Sequence, residues 1–407
     1  MNSIITYKHF AVICLITLFY SFGCSSVHKT GDISENSGNA EANLKRKLKA
    51  GEIHHYSINL SAGDFLHIKA EQYGIDLIAK VSTVDSQFAE QFDSPNGELD
   101  TEDIFILSDS NRKYDIQIYP AQKYADPGEY VINLIRSGKA SERDKKWIAA
   151  LTATQKADKL RAKAVTREQS IQQYEVAMSE WLALKDNLQY ARAMRSMGFV
   201  YIRLRNYDKA VEVFTQLLPL WNQLGDTRAE GFTQLIIGRI YVLQKDYKKS
   251  LEYNLNSLPY WVKANDTDQE SFTLMNIGNL YSYLGDKQKA VEYFEQALKK
   301  NELSERPSVK AVIQRDYANS LMRLGEEENA IQLYEKSLTQ WQATANKPEE
   351  ARTAVLLAAH FGKNNDQQKA KLYYRQALEI WEKLDEKNEI KNIQTALEKL
   401  EKLSIEH

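Results

Sequence analysis

Three histidines, three aspartates and two cysteines are the residue types in this chain that could do chemistry, and their spacing argues against it. His54, His55 and His67 fall on neighbouring predicted strands, where a metal site would be looked for. Adjacent strand residues point to opposite faces, so only two of the three can share a side. No Cys or Glu-x-x-His pattern adds ligands, so ordinary strand histidines are expected and no metal. Asp76, Asp93 and Asp126 could offer oxygens to calcium, but that ion needs about six or more, and turn capping explains them as well. Covalent catalysis needs a nucleophile with a positioned base. The only cysteines are Cys14 and Cys24, and beyond the β region the folded part has only His360. There is no glycine-rich phosphate loop. Neither enzyme activity nor a cofactor is expected.

What the chain does carry is a beat. Trp181, Trp221, Trp261, Trp341 and Trp381 lie on one 40-residue lattice, with Asn301 in the skipped step. Gly198, Gly238, Gly278, Ala318 and Ala358 form a second row, and Ala210, Ser250, Ala290, Ala330 and Ala370 a third. No insertion breaks the count. A fixed period without slippage means stacked copies of one unit. The tryptophans could form an aromatic ladder for a ligand or close the packing between repeats.

With 407 residues and 43% hydrophobic content, the chain has room for two or three domains with real cores. Its net charge of −2 argues against nucleic acid as a partner. Residues 1–23 read as a signal peptide. The apolar run from Phe10 to Phe22 is too short to span a bilayer as a helix. Gly23-Cys24-Ser25-Ser26 resembles a bacterial lipobox, which implies lipidation at Cys24, although Ser21 and the bulky Phe22 depart from the pattern. Ser25 favours the outer membrane by the same resemblance. A bacterial cell-envelope location, lipid-anchored on the periplasmic side, is the expectation. Residues 24–41 are polar and read as a disordered tether.

From 42 to 137 the pattern is β. Tyr56 to Leu60, Phe65 to Ile68, Ile75 to Val81, Ile104 to Leu107, Tyr114 to Tyr119 and Tyr130 to Leu134 are strands. Turns fall at Ser94-Pro95-Asn96-Gly97 and Asp126-Pro127-Gly128. Short strands at this spacing predict a small antiparallel sandwich. From Ser141 on, each unit reads as helix–turn–helix. One degenerate and five full units fill 141–385, and 386–407 forms a capping helix and tail. Pro219 and Pro259 mark a shared kink, and Pro348 falls in a loop. The fold class is therefore α+β multidomain, a small antiparallel β-sandwich followed by an all-α superhelix.

The order Gly198, Tyr201, Ala210, Phe214, repeated at Gly278, Tyr281, Ala290, Phe294, resembles tetratricopeptide repeats of the longer kinesin-light-chain type. The order of the whole chain is similar to the front part of bacterial CHAT-domain proteins: Gly63-Asp64-Phe65-Leu66, Gly74-Ile75-Asp76 and Pro127-Gly128-Glu129-Tyr130, then repeats. Those proteins carry a pre-peptidase-like sandwich, repeats and a caspase-like peptidase. No peptidase is expected after His407, so the resemblance implies binding and not proteolysis.

In such repeats the first helix of each unit lines the concave groove. That implies groove positions Arg192, Arg195, Phe199, Ile202 and Arg203, and their equivalents every 40 residues: Arg239, Asn279, Arg315, Asn319, Arg323 and Arg352 among them. The groove positions include eight basic residues and no acidic one, while the whole chain has 53 basic and 55 acidic. This fits an acidic peptide or a free carboxylate terminus. It also fits a solvated charge face whose counter-charges sit on neighbouring segments. The expected function is a non-enzymatic, membrane-anchored scaffold for a protein partner. Alternatives are a recognition subunit of a separate caspase-like peptidase, and an envelope carbohydrate-binding module with the repeats as spacer.

Overall fold

The computed structural model describes residues 28–32, 44–83, 89–92, 101–302 and 306–405. The signal segment, Cys24, Asp93 and the turn at 94–97 lie outside the described residues.

The N-terminal region is a two-sheet sandwich. Its strands are β1 (His28–Asp32), β2 (Leu44–Leu48), β3 (Ile53–Leu60), β4 (Asp64–Tyr73), β5 (Leu77–Thr83), β6 (Ala89–Phe92), β7 (Thr101–Leu107), β8 (Arg112–Pro120) and β9 (Gly128–Lys139). One sheet has the order β1-β3-β8-β5-β6 and the other β2-β9-β4-β7. Alternation sets the faces: Tyr56, Ile58, Leu60, Ile116 and Ile118 from one sheet meet Leu66, Ile68, Ala70, Ile104 and Ile132 from the other. Neighbouring strands run antiparallel, except that β1 pairs in parallel with β3. β1 lies within the stretch read as a disordered tether.

Thirteen α-helices follow among the described residues: α1 (Glu142–Ala162), α2 (Arg167–Ala183), α3 (Asn187–Arg203), α4 (Tyr207–Leu224), α5 (Thr227–Leu243), α6 (Tyr247–Ala264), α7 (Thr267–Tyr283), α8 (Lys287–Asn301), α9 (Pro307–Arg323), α10 (Glu327–Ala343), α11 (Lys347–Lys363), α12 (Gln367–Lys383) and α13 (Lys387–Ile405). Pro219 and Pro259 sit inside α4 and α6. Pro348 is not in a loop: it occupies the first turn of α11, where a missing N–H costs nothing.

A second beat, of 20 residues, sets the turns. A residue in the left-handed region closes one helix and an Asp or Asn caps the next, as in Lys185-Asp186, Arg205-Asn206, Gly225-Asp226 and Lys245-Asp246. The cap side chain accepts the backbone N–H three residues on, and its own N–H returns to the preceding helix, as Asp226 N–H does to the Trp221 carbonyl at 3.0 Å. This rigid two-residue turn keeps the 40-residue period free of slippage.

The tryptophan row packs between helices. Trp181, Trp221, Trp261, Trp341 and Trp381 are all buried, which settles them as packing residues and not as a ligand ladder. The small residues opposite have a steric reason. A Cβ added at Gly231 would lie 3.0 Å from the Trp261 ring.

Candidate functional site

The sandwich and the repeat array are joined side to side. Trp147 on α1 covers the outer face of the four-stranded sheet, its ring 5.0 Å from His67 and 5.7 Å from Phe105. Its indole N–H donates to Asp186, the cap of α3, at 3.0 Å. Beside it, Asp103 on β7 accepts from His67 Nε2 at 2.8 Å and from Gln189 Nε2 at 3.2 Å, and pairs with Arg192. Arg192 also donates to Thr101 Oγ1 at 2.5 Å. Further along the array, Asp126 in the turn before β9 meets Arg306 and Ser308 at the start of α9. The sandwich therefore touches the N-terminal ends of first helices at both α3 and α9, three units apart.

These contacts revise the sequence-based groove. Arg192 is held by the sandwich and is not free for a partner. Arg195 is only 3% exposed, with its guanidinium 5.3 Å above the Trp221 ring, so it is a core residue. Arg203 is partly buried at the end of α3. Arg315 and Arg352 share the carboxylate of Glu349. The counter-charges absent from the groove positions thus come from Asp103 and Glu349, which the 40-residue count could not place opposite them.

The remaining positions converge on α5, α7 and α9. Asn279 accepts the Ser320 hydroxyl at 2.7 Å, and Asn319 accepts the Tyr334 hydroxyl at 2.6 Å. Arg323 bonds Ser282 and lies 3.9 Å above the Tyr283 ring, which stacks at 4.7 Å on Tyr247. A step of one unit therefore lays equivalent first-helix residues side by side. In that register Arg239 and Leu243 precede Asn279 and Tyr283. Arg239 is exposed and makes no ion pair or hydrogen bond among the described residues. Leu243 and Tyr283 are 40% and 47% exposed. Asp316 lies beside this patch, against Arg315; burial pushes its carboxyl up against the pull of Arg315, Asn279 and Asn319.

The strand histidines are accounted for locally. His54 Nδ1 bonds the Tyr130 hydroxyl at 2.6 Å inside the sandwich, His55 faces Asp115, and His67 serves Asp103. Among the described residues no group of three or more His, Cys, Asp or Glu side chains could hold a metal ion. Asp76 accepts the Ala121 N–H through its backbone carbonyl, and Asp126 belongs to the contact with α9. Asp103, Asp126, Trp147 and Arg306, which tie the two regions together, had no periodic signal to mark them.

A family model described as tetratricopeptide repeat matches residues 230–302 and 310–383. The chain thus carries tetratricopeptide repeats, a scaffold typical of protein–protein interaction. No curated protein matches the sequence. Solved structures similar to it include BtubC (BKLC) from P. vanneervenii, 13% identical, covering 60% of this chain and 93% of that one, with a TM-score of 0.43. A STAND protein with a tetratricopeptide repeat sensor from Pyrococcus horikoshii is 16% identical, covering 60% of this chain and 36% of that one, with a TM-score of 0.47. Aspartyl phosphate phosphatase F from Bacillus subtilis is 16% identical, covering 59% and 61%, with a TM-score of 0.42.

Proposed function

We propose that the chain is a non-enzymatic scaffold that holds an acidic, extended segment of a protein partner on the first-helix face of α5, α7 and α9. One observation carries this reading. Three groove arginines, Arg192, Arg195 and Arg315, are committed inside the molecule, to Asp103, Trp221 and Glu349, and half-exposed Arg352 also pairs with Glu349, while Arg239 stays exposed beside half-exposed Leu243 and Tyr283. A cation with no internal role next to apolar surface suits a carboxylate followed by a hydrophobic anchor. Arg323, stacked on Tyr283, offers a second cation, and the guanidinium keeps donors free while it stacks.

Reversing Arg239 and Arg323 together to Glu should abolish partner capture from native envelope preparations, with helicity unchanged by circular dichroism. Arg315→Gln, which changes an arginine already paired to Glu349, should leave capture within a few-fold of the parent. Binding should weaken as salt rises, because exposed charges are screened beyond about 8–10 Å at physiological ionic strength. Capture that survives both the double reversal and high salt would place the partner elsewhere.

The reading includes a membrane anchor at Cys24, supported by the short apolar run before it and the polar stretch after it. No helix among the described residues is long and apolar enough to cross a membrane. Cys24→Ala is expected to move the protein out of the membrane fraction or to stall its processing. A variant that fractionates and migrates like the parent would remove the lipid anchor from the proposal.

A further inference from the structure

The sandwich gathers positive charge at one exposed corner. Edge strand β2 reads Leu44-Lys45-Arg46-Lys47-Leu48 and runs straight into Lys49. Leu48 is buried and pins the strand to the core, while Lys45, Arg46, Lys47 and Lys49 are exposed. Two carboxylates lie close. Glu129 on β9 pairs with Lys45 at 2.6 Å and lies 3.9 Å from Lys47, and Glu52 accepts the Lys49 backbone N–H at 3.0 Å. Arg46 donates to the Lys45 carbonyl at 3.2 Å and lies beside the Tyr56 hydroxyl. The corner is therefore positive in a chain whose net charge is −2. Lysines on an edge strand discourage pairing with another chain, which accounts for the charge but not for its place.

The place is where the chain enters the sandwich. β1 is the edge of one sheet and β2 the edge of the other. Their neighbours β3 and β9 face each other through the Tyr56 and Tyr130 hydroxyls, 2.6 Å apart, so both edges lie along one side of the sandwich. On the opposite side Phe92 of β6 packs 4.8 Å from Phe105 of β7, and β7 is the strand that α3 holds through Asp103. β1 runs parallel to β3 and starts level with Ile53, just after the turn at Lys49 to Glu52 that leaves β2. His28, the first residue of β1, thus stands at the basic corner. Cys24 is four residues earlier, and four residues of chain reach at most about 14 Å.

We propose that this corner docks on the anionic headgroups of a membrane, with Lys45, Lys47 and Lys49 as its contacts. That the membrane lies at this corner rests on the Cys24 anchor proposed above; the charge of the corner does not. Lysines close to an anionic lipid surface are attracted to it, and the attraction fades over about 10 Å at 0.1 M salt. An anchor entering the bilayer within a few residues of β1 brings the lysines into that range. An acyl chain and a basic patch are complementary signals, the one holding the protein to the bilayer and the other setting how it sits. Seated on this corner, the sandwich turns its β7 edge, where α3 is held, away from the lipid.

The experiment reconstitutes the full-length protein into phosphatidylcholine vesicles, with or without about one-third phosphatidylglycerol, and labels its amines. Labelling of Lys47 and Lys49 should fall at least about fivefold in the anionic vesicles and recover at high salt. Lys248 and Lys336, exposed on α6 and α10, should stay within about twofold and serve as controls. The Cys24→Ala chain should float better with anionic than with neutral vesicles. Adding Lys45→Gln, Lys47→Gln and Lys49→Gln, which keep the side-chain length and the strand, should remove that difference. Equal labelling of Lys47 and Lys49 in the two kinds of vesicle would overturn the proposal, leaving the lysines as guards of a strand edge. A preference for anionic vesicles that survives the triple Gln variant would overturn it as well. Failure of the parent to float with neutral vesicles would remove the anchor, and an anionic preference lost in the triple variant would still leave the docking surface standing. Flotation of the parent with both vesicles and no difference in labelling would keep the anchor and sink the surface.

Discussion

Asp103→Ala should cost about 3 kcal/mol and loosen the sandwich from the array, because it strands an arginine and a histidine in a largely dry interface. The side chain of Asp103 is 9% exposed, and those of His67 and Arg192 are 13% and 15%. Each carboxylate oxygen is engaged, one by His67 and the other by Arg192 and Gln189. Removing the acid leaves donors with nothing to replace water. Asp103→Asn should cost less, since it keeps one acceptor. Arg192→Ala should cost a similar amount, and the double variant less than the sum, because the two residues act through one contact. Urea unfolding gives the free energies, and proteolysis of the sandwich reports its release. A parent-like midpoint for Asp103→Ala would mean that the other contacts, at Trp147 and at Asp126, hold the two regions without it.

The same contact has a defined pH window. Burial pushes the Asp103 carboxyl up, but the hydrogen bond from His67 and the charges of Arg192, His67 and Lys69 outweigh it and hold the group below its ordinary 3.8. A depressed carboxylate contributes stability that is present above the unfolded value and is lost as pH falls through the folded one. The interface should therefore hold from neutral pH down past the usual carboxylate range and open only in stronger acid. Asp103→Ala should flatten that acid limb of the stability curve.

Gly278→Leu should cost roughly 3 kcal/mol or more, at the upper end of what overpacking a tight crossing does. Even a bare Cβ there would lie 2.8 Å from Phe294 Cδ2 and 3.2 Å from the Ala290 carbonyl oxygen. The ring could shift, but the backbone of α8 could not without parting the two helices. Gly238 is a useful contrast: its nearest neighbour is the end of the Asn254 side chain at 2.7 Å, with the Ser250 carbonyl at 3.3 Å. Because each unit packs mainly on its neighbours, the damage at Gly278 should stay in the third unit and broaden the unfolding transition. A single sharp transition, moved but intact, would count against a one-dimensional stack.

The repeat architecture was legible because it is local and periodic. The Trp, Gly and Ala rows encode contacts within a unit or between adjacent units, so one count of 40 exposes all of them. The strands were legible for the same reason: Tyr56, Ile58 and Leu60 alternate because one face is buried. The proline at 348 misled because a helix start and a loop both accept it. Within the groove, residue type and spacing identified which positions face a neighbouring first helix, as the Asn279–Ser320 and Arg323–Ser282 contacts show. They could not say which arginines remain available.

That choice was made by the tertiary structure. Arg192 is spent on Asp103, 89 residues away, and Ser308 meets Asp126 across 182 residues. Nothing periodic marks these pairs, since they join two regions with different repeats, one of two residues and one of forty. Their partners are set by where a sheet face comes to rest against helix ends. By itself the sequence determined the two kinds of fold and the period of the stack. Only the tertiary structure decided which charges were neutralised inside, Arg192 by the sandwich and Arg315 by Glu349 of the next unit, leaving Arg239 exposed, because the field at a side chain depends on what the folded chain brings beside it and not on its place in the count.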